Sequence, residues 1–199
     1  MFQDSPIRCE SQPKGYIART DGGVTPASFR ASSSVEPPTN GNAMHETGTG
    51  GGGPAAIPHW MEIDEHLALG AQPDADAVRT LARDGCTLVV NLNAPGARNY
   101  WEGEASAVAE TGMHYVHYPL DCSSLSGEKY EILRGILMAH RRGKVFLHCA
   151  MNVKSSAMAH VFRVRELGHD PRLSREEIAR ATPGHEPKWE RFWSEMGAV

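Results

Sequence analysis

The sequence predicts an α/β fold: a mostly parallel central sheet with helices on both faces, preceded by a disordered N-terminal tail. From about residue 60 onward, short apolar runs alternate with longer stretches of helical periodicity. Parallel strands need such crossovers, because each helix returns the chain to the start of the next strand. Residues 1–57 are instead rich in Ser, Thr, Gly and Pro and lack apolar periodicity. We therefore expect a disordered tail over 1–57 and one domain over 58–199.

The first elements of the domain are short. His66–Gly70 is predicted as a strand, and Gln72-Pro73-Asp74 starts a helix that ends at Gly85. Cys86–Asn93 is apolar enough to be a strand that is buried on both faces. The helix between these strands is expected to turn three residues inward: Val78, Leu81 and Ala82.

The middle of the domain repeats this alternation. A helix is predicted over Trp101–Glu110, a strand over His114–Leu120 and an amphipathic helix over Gly127–Arg142. Near the end of the chain, Glu186-Pro187 opens a last helix. Its aromatic residues recur at helical spacing, which is typical of core packing: Trp189, Phe192 and Trp193, with Met196.

One stretch combines a strand, a cysteine and a helix. Lys144–His148 is predicted as a buried strand, Cys149 follows it directly, and helical periodicity runs from Ser155 to a stop at Gly168. A helix N-terminus has unpaired backbone N–H groups and the positive end of the helix dipole. The loop after Cys149 is therefore expected to bind an anion.

The same field favours the thiolate form of Cys149, which would make it a nucleophile. Asn152 suits a tight loop, because asparagine tolerates left-handed backbone. Lys154 adds a positive charge, and Ser156 adds a hydroxyl one turn into the helix. The alternative is that Cys149 is an inert buried thiol.

The ten residues His148-Cys149-Ala150-Met151-Asn152-Val153-Lys154-Ser155-Ser156-Ala157 resemble the active-site loop of cysteine-dependent phosphatases of the protein-tyrosine and dual-specificity type. The resemblance is strongest to a bacterial family with an HCAMN loop, and it extends from about Trp60 to the end of the chain. It implies a phosphatase-like fold and hydrolysis of a phosphate monoester through a phosphocysteine intermediate. It also implies that the loop from His148 to Ser155 binds substrate, that His148 tunes Cys149, and that Ser156 stabilises the departing thiolate.

The chain departs from the family at one position. Lys154 stands where the family has an arginine, and the tyrosine-phosphatase spacing of cysteine, five residues and arginine ends at Ser155. Arginine grips phosphate oxygens with a planar fork, whereas lysine is a flexible point charge. Two alternatives to a phosphatase follow: a phosphate-binding protein with weak or no turnover, and a rhodanese-like sulfurtransferase.

Two further residues are candidates for the same crevice. The resemblance implies a general acid on a neighbouring loop, and Asp121, 28 residues before Cys149, is the candidate. A turn role for Asp121 with Ser123 and Ser124 is an equal alternative. Arg98 is a candidate second positive charge, and spacing leaves open a disulfide between Cys122 and Cys149.

Bulk properties limit the function classes. The net charge of -4 and the pI near 6.2 argue against nucleic acid as a partner. No apolar run spans a bilayer and no leader segment stands out, so no membrane partner is predicted. Four scattered cysteines indicate a reducing compartment, so a cytoplasmic location is predicted. Neither a metal nor another cofactor is expected. The expected partner is a phosphorylated protein or small phosphorylated substrate, and the oligomeric state stays open.

Overall fold

A computed structural model describes residues 57–97, 99–182 and 185–199. The predicted tail lies outside these residues except for residue 57, so the tail and its boundary stay predictions. The described strands are β1 (Met61–Asp64), β2 (Leu67–Gly70), β3 (Cys86–Asn91), β4 (His114–His117) and β5 (Lys144–His148). The described helices are α1 (Ala75–Arg83), α2 (Glu104–Glu110), α3 (Gly127–Ala139), α4 (Val153–Leu167), α5 (Pro171–Ala181) and α6 (Pro187–Glu195).

The five strands form one sheet in the order β1-β2-β5-β3-β4, in which only the β1–β2 pair is antiparallel. The parallel strands end together, because His148 pairs with both Gly70 and Asn91, and Asn91 pairs with His117. In such sheets, ligands bind beyond the carboxyl ends of the strands. The predicted, mostly parallel α/β architecture is confirmed.

Apolar side chains fill both faces of the sheet. On one face, Val78 and Leu81 of α1 and Val108 of α2 pack with Phe146 of β5. On the other face, residues from α3, α4, α5 and α6 pack on the outward side chains of the same strands: Tyr130, Leu133, Phe162, Ile178, Trp189, Phe192 and Trp193. The alternation of side chains along β5 therefore assigns Phe146 and His148 to one face and Leu147 and Cys149 to the other.

Two elements were missed by the sequence analysis. β1 is a short edge strand with the polar sequence MEID, which lacks an apolar alternation. α5 begins three residues after the predicted stop at Gly168, where Asp170 accepts a hydrogen bond from the N–H of Leu173 and Pro171 takes the first helical position. Three residues separate α4 from α5, and the first of them, Gly168, has left-handed backbone at φ 70°.

Several predicted boundaries were wrong by a few residues. α2 begins at Glu104 and not at Trp101, because a turn joins the carbonyl of Trp101 to the N–H of Glu104 at 3.3 Å. β4 ends at His117 and not at Leu120, although the N–H of Leu120 still donates to the carbonyl of Leu92 at 3.1 Å. Three further boundaries differ from the prediction. β3 ends at Asn91 and not at Asn93, and α3 ends at Ala139 and not at Arg142. α4 begins at Val153 and not at Ser155.

Candidate active site

Cys149 lies at the carboxyl end of β5, on the sheet face that packs against α3–α6. Its thiol is free and only 2% of the residue is exposed. The carbonyl of the preceding His148 accepts a hydrogen bond from the N–H of Leu92 at 2.8 Å, which ties the start of the loop to the end of β3. The sulfur is thus fixed where the parallel strands end.

The loop after Cys149 leads directly into the N-terminus of α4. Asn152 is the residue before the helix and has left-handed backbone (φ 63°), as its sequence position predicts. Its side chain does not cap the helix, and the first turn closes with a hydrogen bond from the N–H of Ser156 to the carbonyl of Asn152 at 3.0 Å. The N–H groups of Val153 and Ser155 in this first turn therefore have no acceptor within the helix. This is the arrangement expected of an anion-binding loop.

The side chain of Asn152 fixes the loop from both sides. Its Nδ2 donates to the carbonyl of His59 at 2.8 Å, and its Oδ1 accepts from the hydroxyl of Ser155 at 2.6 Å. Asn152 is completely buried. A short antiparallel bridge between Ala71 and Met151 also holds the loop against the chain that follows β2. The loop is therefore held in place by contacts outside itself.

The hydroxyl that contacts the sulfur belongs to Ser155. Its Oγ lies 3.7 Å from the Sγ of Cys149. The expected role of Ser156 is not supported by its position, because its hydroxyl donates to the carbonyl of Asn152 at 2.5 Å and lies 3.1 Å from Nε2 of His185. With the helix beginning at Val153, Ser155 is the residue directed back towards Cys149.

His148 lies on the opposite face of the sheet from the sulfur. Its ring stacks on Phe146, with centroids 5.3 Å apart, and its Nε2 lies 2.9 Å from Oε1 of Glu104. Both side chains of this pair are completely buried. In this conformation the ring cannot touch a substrate, so the assignment of His148 to substrate binding is corrected to a position beneath the loop.

Glu104 is the centre of a buried polar cluster. Its Oε2 accepts from Nδ2 of Asn91 at 2.7 Å and from the hydroxyl of Tyr115 at 3.1 Å. Burial on its own would raise the pKa of Glu104, but the contact with His148 and the hydrogen bonds from Gln72 and Tyr115 together outweigh it and hold the pKa below its usual value. The carboxylate is therefore ionised at neutral pH.

Lys154 is 5% exposed in the first turn of α4. Its neighbours Val153 and Ser155 are also buried. The backbone of Ala150 faces the other side of the loop, where its carbonyl accepts from the N–H of Gln72 at 3.4 Å. Lys154 is thus enclosed within the fold and does not extend from the surface.

Asp121 forms a turn. Its Oδ1 accepts from the N–H of Ser123 at 2.8 Å, and its Oδ2 accepts from the hydroxyl of Ser124 at 2.9 Å. The N–H of Ser123 is the main reason why the pKa of Asp121 lies below its usual value. Among the contacts of the described residues, none joins the Asp121 carboxylate to Cys149. Of the two roles open from sequence, the structure supports the turn.

The loop after β3 does reach the cysteine loop. Nδ2 of Asn99 lies 3.5 Å from the carbonyl of Ala150 and 3.5 Å from the sulfur of Met151. Arg98, the candidate second charge, lies outside the described residues, so its role stays a prediction. A depression of about 580 Å³ runs beside this contact and is lined in part by Gln72, Asp74, Asn99 and Trp101.

Cys86 carries a free thiol like Cys149, so the disulfide between Cys122 and Cys149 that spacing left open is not formed. In the part of the chain that the structure describes, no helix is long and apolar enough to cross a membrane.

Curated proteins resemble this chain in sequence over part of its length. No protein-family model matches the chain. A "Beta-lactamase hydrolase-like protein" from Xylella fastidiosa is 26% identical over 121 residues, which are 59% of this chain and 27% of the relative. The chain therefore spans about a quarter of the length of the curated relatives it matches.

Solved structures match over more of the chain. A DUF442 candidate phosphatase from Shewanella putrefaciens CN-32 superposes with a TM-score of 0.63 at 22% identity, covering 72% of this chain and 92% of that one. TpbA from P. aeruginosa gives a TM-score of 0.59 at 18% identity, covering 73% and 86%. The chain has the cysteine-dependent phosphatase fold.

Within the cysteine-dependent phosphatase fold, the sequence analysis missed the contact of one loop residue with the sulfur and two further residues, Glu104 and His185. Ser155 was assigned to the loop but not to the sulfur, because the helix begins two residues earlier than its periodicity indicates. Glu104 is the first residue of a helix with an apolar face, and an acidic residue at such a position is ordinarily expected to face solvent. His185 contacts Ser156 across 29 residues of chain, and no local pattern reports such a contact.

Proposed function

We propose that this chain is a cysteine-dependent phosphatase that hydrolyses a phosphate monoester. The Cys149 thiolate attacks phosphorus, the bond from phosphorus to the leaving oxygen breaks, and a phosphocysteine forms. Water then attacks phosphorus and releases inorganic phosphate and the thiolate. The observation that carries the proposal is the free Cys149 directly before an uncapped helix N-terminus.

Backbone N–H groups do most of the phosphate binding in this proposal. Those of Val153 and Ser155, in the first turn of α4, lack acceptors within the helix, so we expect them to face the equatorial phosphate oxygens. The Ser155 hydroxyl, 3.7 Å from the sulfur, stabilises the thiolate when it leaves the intermediate. TpbA, which shares the fold, has also been solved with phosphotyrosine, and we propose phosphorylated proteins or small aryl phosphates as the substrate class here.

The central experiment compares two cysteine variants of the full chain. Wild type is expected to hydrolyse p-nitrophenyl phosphate, and Cys149→Ser is expected to lose this activity to background. Cys86→Ser is the matched control, because it removes the other free buried thiol and is expected to keep the activity. Equal rates for wild type and Cys149→Ser would disprove the catalytic proposal.

Lys154 favours a second candidate, a phosphate-binding protein with little turnover. A lysine ammonium cannot grip two phosphate oxygens at once as a guanidinium does. If the missing fork limits turnover, Lys154→Arg raises kcat for p-nitrophenyl phosphate. Calorimetric titration with inorganic phosphate separates the two candidates. Phosphate binding without hydrolysis of p-nitrophenyl phosphate, in wild type and in Lys154→Arg alike, supports the phosphate-binding protein.

The role of Asp121 is tested with two leaving groups. Its lowered pKa and its turn hydrogen bonds make it a poor proton donor in this conformation. An aryl leaving group departs as a stable anion, whereas an alkyl leaving group needs a proton. If Asp121 is nevertheless the general acid, Asp121→Asn slows hydrolysis of an alkyl phosphate much more than that of an aryl phosphate. An equal effect on both assigns Asp121 to the turn alone.

A sulfurtransferase is tested on the same thiol. Sulfur transfer from thiosulfate to cyanide would pass through a persulfide on Cys149. Thiocyanate production that Cys149→Ser abolishes would support this alternative, and its absence in wild type would remove it.

A further inference from the structure

A depression of about 580 Å³ borders the cysteine loop and is not used by the proposed phosphate binding. Its walls come from the segment after β2, the segment after β3 and the two loop residues Ala150 and Met151. Both outer segments contact the loop, since the N–H of Gln72 donates to the carbonyl of Ala150 at 3.4 Å and Nδ2 of Asn99 lies 3.5 Å from the same oxygen. The depression therefore begins one residue after Cys149.

Two hydrogen-bond acceptors belong to the lining of this depression. Among the described lining residues, the carboxylate of Asp74 is the one charged side chain. The second acceptor is on Gln72. Because the ionised carboxylate of Glu104 can only accept, the amide nitrogen of Gln72 faces it, and Oε1 has no hydrogen-bonding partner among the described residues. The lining therefore suits a ligand group that donates hydrogen bonds or carries positive charge.

Most of the remaining lining is apolar. Pro58, Pro73 and Met151 contribute to it, and Trp101 adds an indole that is only partly buried. The face of an aromatic ring attracts cations, and tryptophan does so more strongly than the other aromatic residues. A chemical group that is apolar along its length and cationic at its end matches both the indole and the Asp74 carboxylate.

We propose that this depression is a substrate subsite for a cationic arm, so that the preferred substrate is a phosphate monoester whose leaving group carries an ammonium or guanidinium group. The phosphate occupies the cysteine loop, and the arm lies along the depression. The inference rests on the proposed function, because the loop must hold the phosphate for the arm to reach Asp74. The volume is typical of small-molecule pockets and has room for an aromatic ring with a short side chain.

The direction of attack places the leaving group on this side of the loop. The attacking and leaving atoms lie roughly in line in phosphoryl transfer, so the leaving group points away from the sulfur and crosses the rim of the loop. Ala150 and Met151 form the part of the rim that borders the depression. A second depression, of about 570 Å³ along α1, does not border the loop and is lined in part by Arg79 and Arg83. Its guanidinium groups disfavour a cationic arm.

The test compares two esters that differ in the charge of the side chain, the phosphate esters of tyramine and of 3-(4-hydroxyphenyl)propanoate. Both release an alkyl-substituted phenol, so their intrinsic reactivity is similar. Asp74 is exposed and solvent screens its charge, so we expect kcat/KM of wild type to be only about threefold higher for the cationic ester at low salt. Equal values, or a preference for the anionic ester, overturn the inference.

Asp74→Asn removes the charge and keeps a side chain that caps α1, because asparagine and aspartate cap helices equally well. We expect the preference for the cationic ester to disappear. Asp76→Asn is the matched control, since Asp76 lies in the first turn of the same helix but does not line the depression. It should keep the wild-type preference. An equal loss in both variants assigns the preference to the general charge of α1 and overturns the inference. If Asp74→Asn does not fold, the wild-type comparison still decides.

A binding measurement separates this inference from the proposed function. In Cys149→Ser, calorimetric titration should show that tyramine phosphate binds about threefold more tightly than the anionic ester. That difference, without hydrolysis of either ester by wild type, would overturn the proposed function alone. Cys149-dependent hydrolysis of both esters at equal kcat/KM would overturn this inference alone. Binding of neither ester overturns both.

The cationic arm has two chemical sources, a small amine and a basic residue beside phosphotyrosine in a peptide. Two phosphotyrosine tripeptides, with Lys or with Glu next to the phosphorylated residue, distinguish them in the same titration. A preference for the Lys peptide at least as large as that for tyramine phosphate assigns the subsite to peptides. A smaller preference assigns it to a small amine.

Discussion

The two free cysteines among the described residues lie at opposite ends of the parallel sheet. Cys86 begins β3 and Cys149 follows the end of β5, and the two are buried to nearly the same degree, with 5% and 2% of each residue exposed. Cys86 packs among apolar residues, and burial raises its pKa to about 11. Cys149 is followed instead by an uncapped helix N-terminus and a serine hydroxyl.

Two cysteines of similar burial thus lie in different backbone surroundings. Cys86 follows a turn at the end of the sheet where the parallel strands begin. At the end where the strands finish, a loop of three residues leads from Cys149 into a helix whose first N–H groups have no acceptor within it. The direction of the strands therefore places a helix N-terminus after Cys149 and not after Cys86, and we expect Cys149 to be the more nucleophilic of the two thiols.

The largest expected difference is in thiol reactivity. At pH 7 in the native protein, we expect iodoacetamide to modify Cys149 at least about 100-fold faster than Cys86, because a thiol with a strongly raised pKa is almost wholly protonated. Peptide mapping after timed labelling measures both rates in one sample. Similar rates at the two positions would remove the distinction between the two ends.

The next effect tests whether burial also disfavours the charged form of a histidine in α4, the helix that follows Cys149. His160 in α4 has a folded-state pKa of about 4, below its unfolded value. Between these values the unfolded chain binds a proton that the native protein does not, so stability falls as pH falls through this window. Between pH 7.5 and 4.5 the loss is roughly 2.5 kcal/mol. Urea unfolding measures it, and His160→Gln should show a smaller pH dependence by about this amount.

Asn152 allows the loop geometry to be tested separately from its hydrogen bonds. Asn152→Ala loses the contacts with His59 and Ser155 and keeps a Cβ on left-handed backbone without the polar side chain that lets asparagine tolerate it, at a cost of about 2 kcal/mol. Asn152→Gly loses the same contacts but removes the Cβ, so we expect about half that cost. Thermal unfolding with inorganic phosphate titration measures both. If the two variants are equally destabilised, backbone strain is not the difference.

The smallest effect concerns the turn before Cys86. Gly85 has φ 82° and open space where a Cβ would lie, so Gly85→Ala adds backbone strain of about 1 kcal/mol without a clash. Gly135 in α3 also has open space but lies in a helix, so Gly135→Ala should stabilise by up to about 1 kcal/mol. Urea unfolding gives both values, and the alkylation rate of Cys149 should change in neither variant. Opposite signs would confirm that φ, not space, decides the outcome at Gly85.

The fold was predictable where local chemistry determines it. β5 and the glycine that ends α4 agree with the sequence analysis, because a buried apolar run and a left-handed C-terminal glycine are local signals. The left-handed loop residue Asn152 was predictable for the same reason. β1 was not, because an edge strand of four residues with polar side chains has no distinctive pattern.

The site was predictable only in part. The nucleophile and its helix follow from consecutive residues, but the contacts of Glu104 and His185 join distant parts of the chain. Asp121 shows a different limit of the sequence analysis. The family resemblance suggests that it is a general acid, but its own neighbours Ser123 and Ser124 already donate hydrogen bonds to its carboxylate oxygens. A sequence motif indicates neither contacts between distant parts of the chain nor competition between local hydrogen-bonding partners.

One contact of α6 gives the molecule an optical reporter. The indole Nε1 of Trp193 donates to the carbonyl of Ala157 at 3.0 Å, one residue beyond the first turn of α4. Indole emission depends on the polarity and hydrogen bonding around the ring, so a change at the start of α4 would alter the intrinsic fluorescence. Ligand titrations can therefore be followed on the unlabelled chain, with Trp193→Phe as the blank.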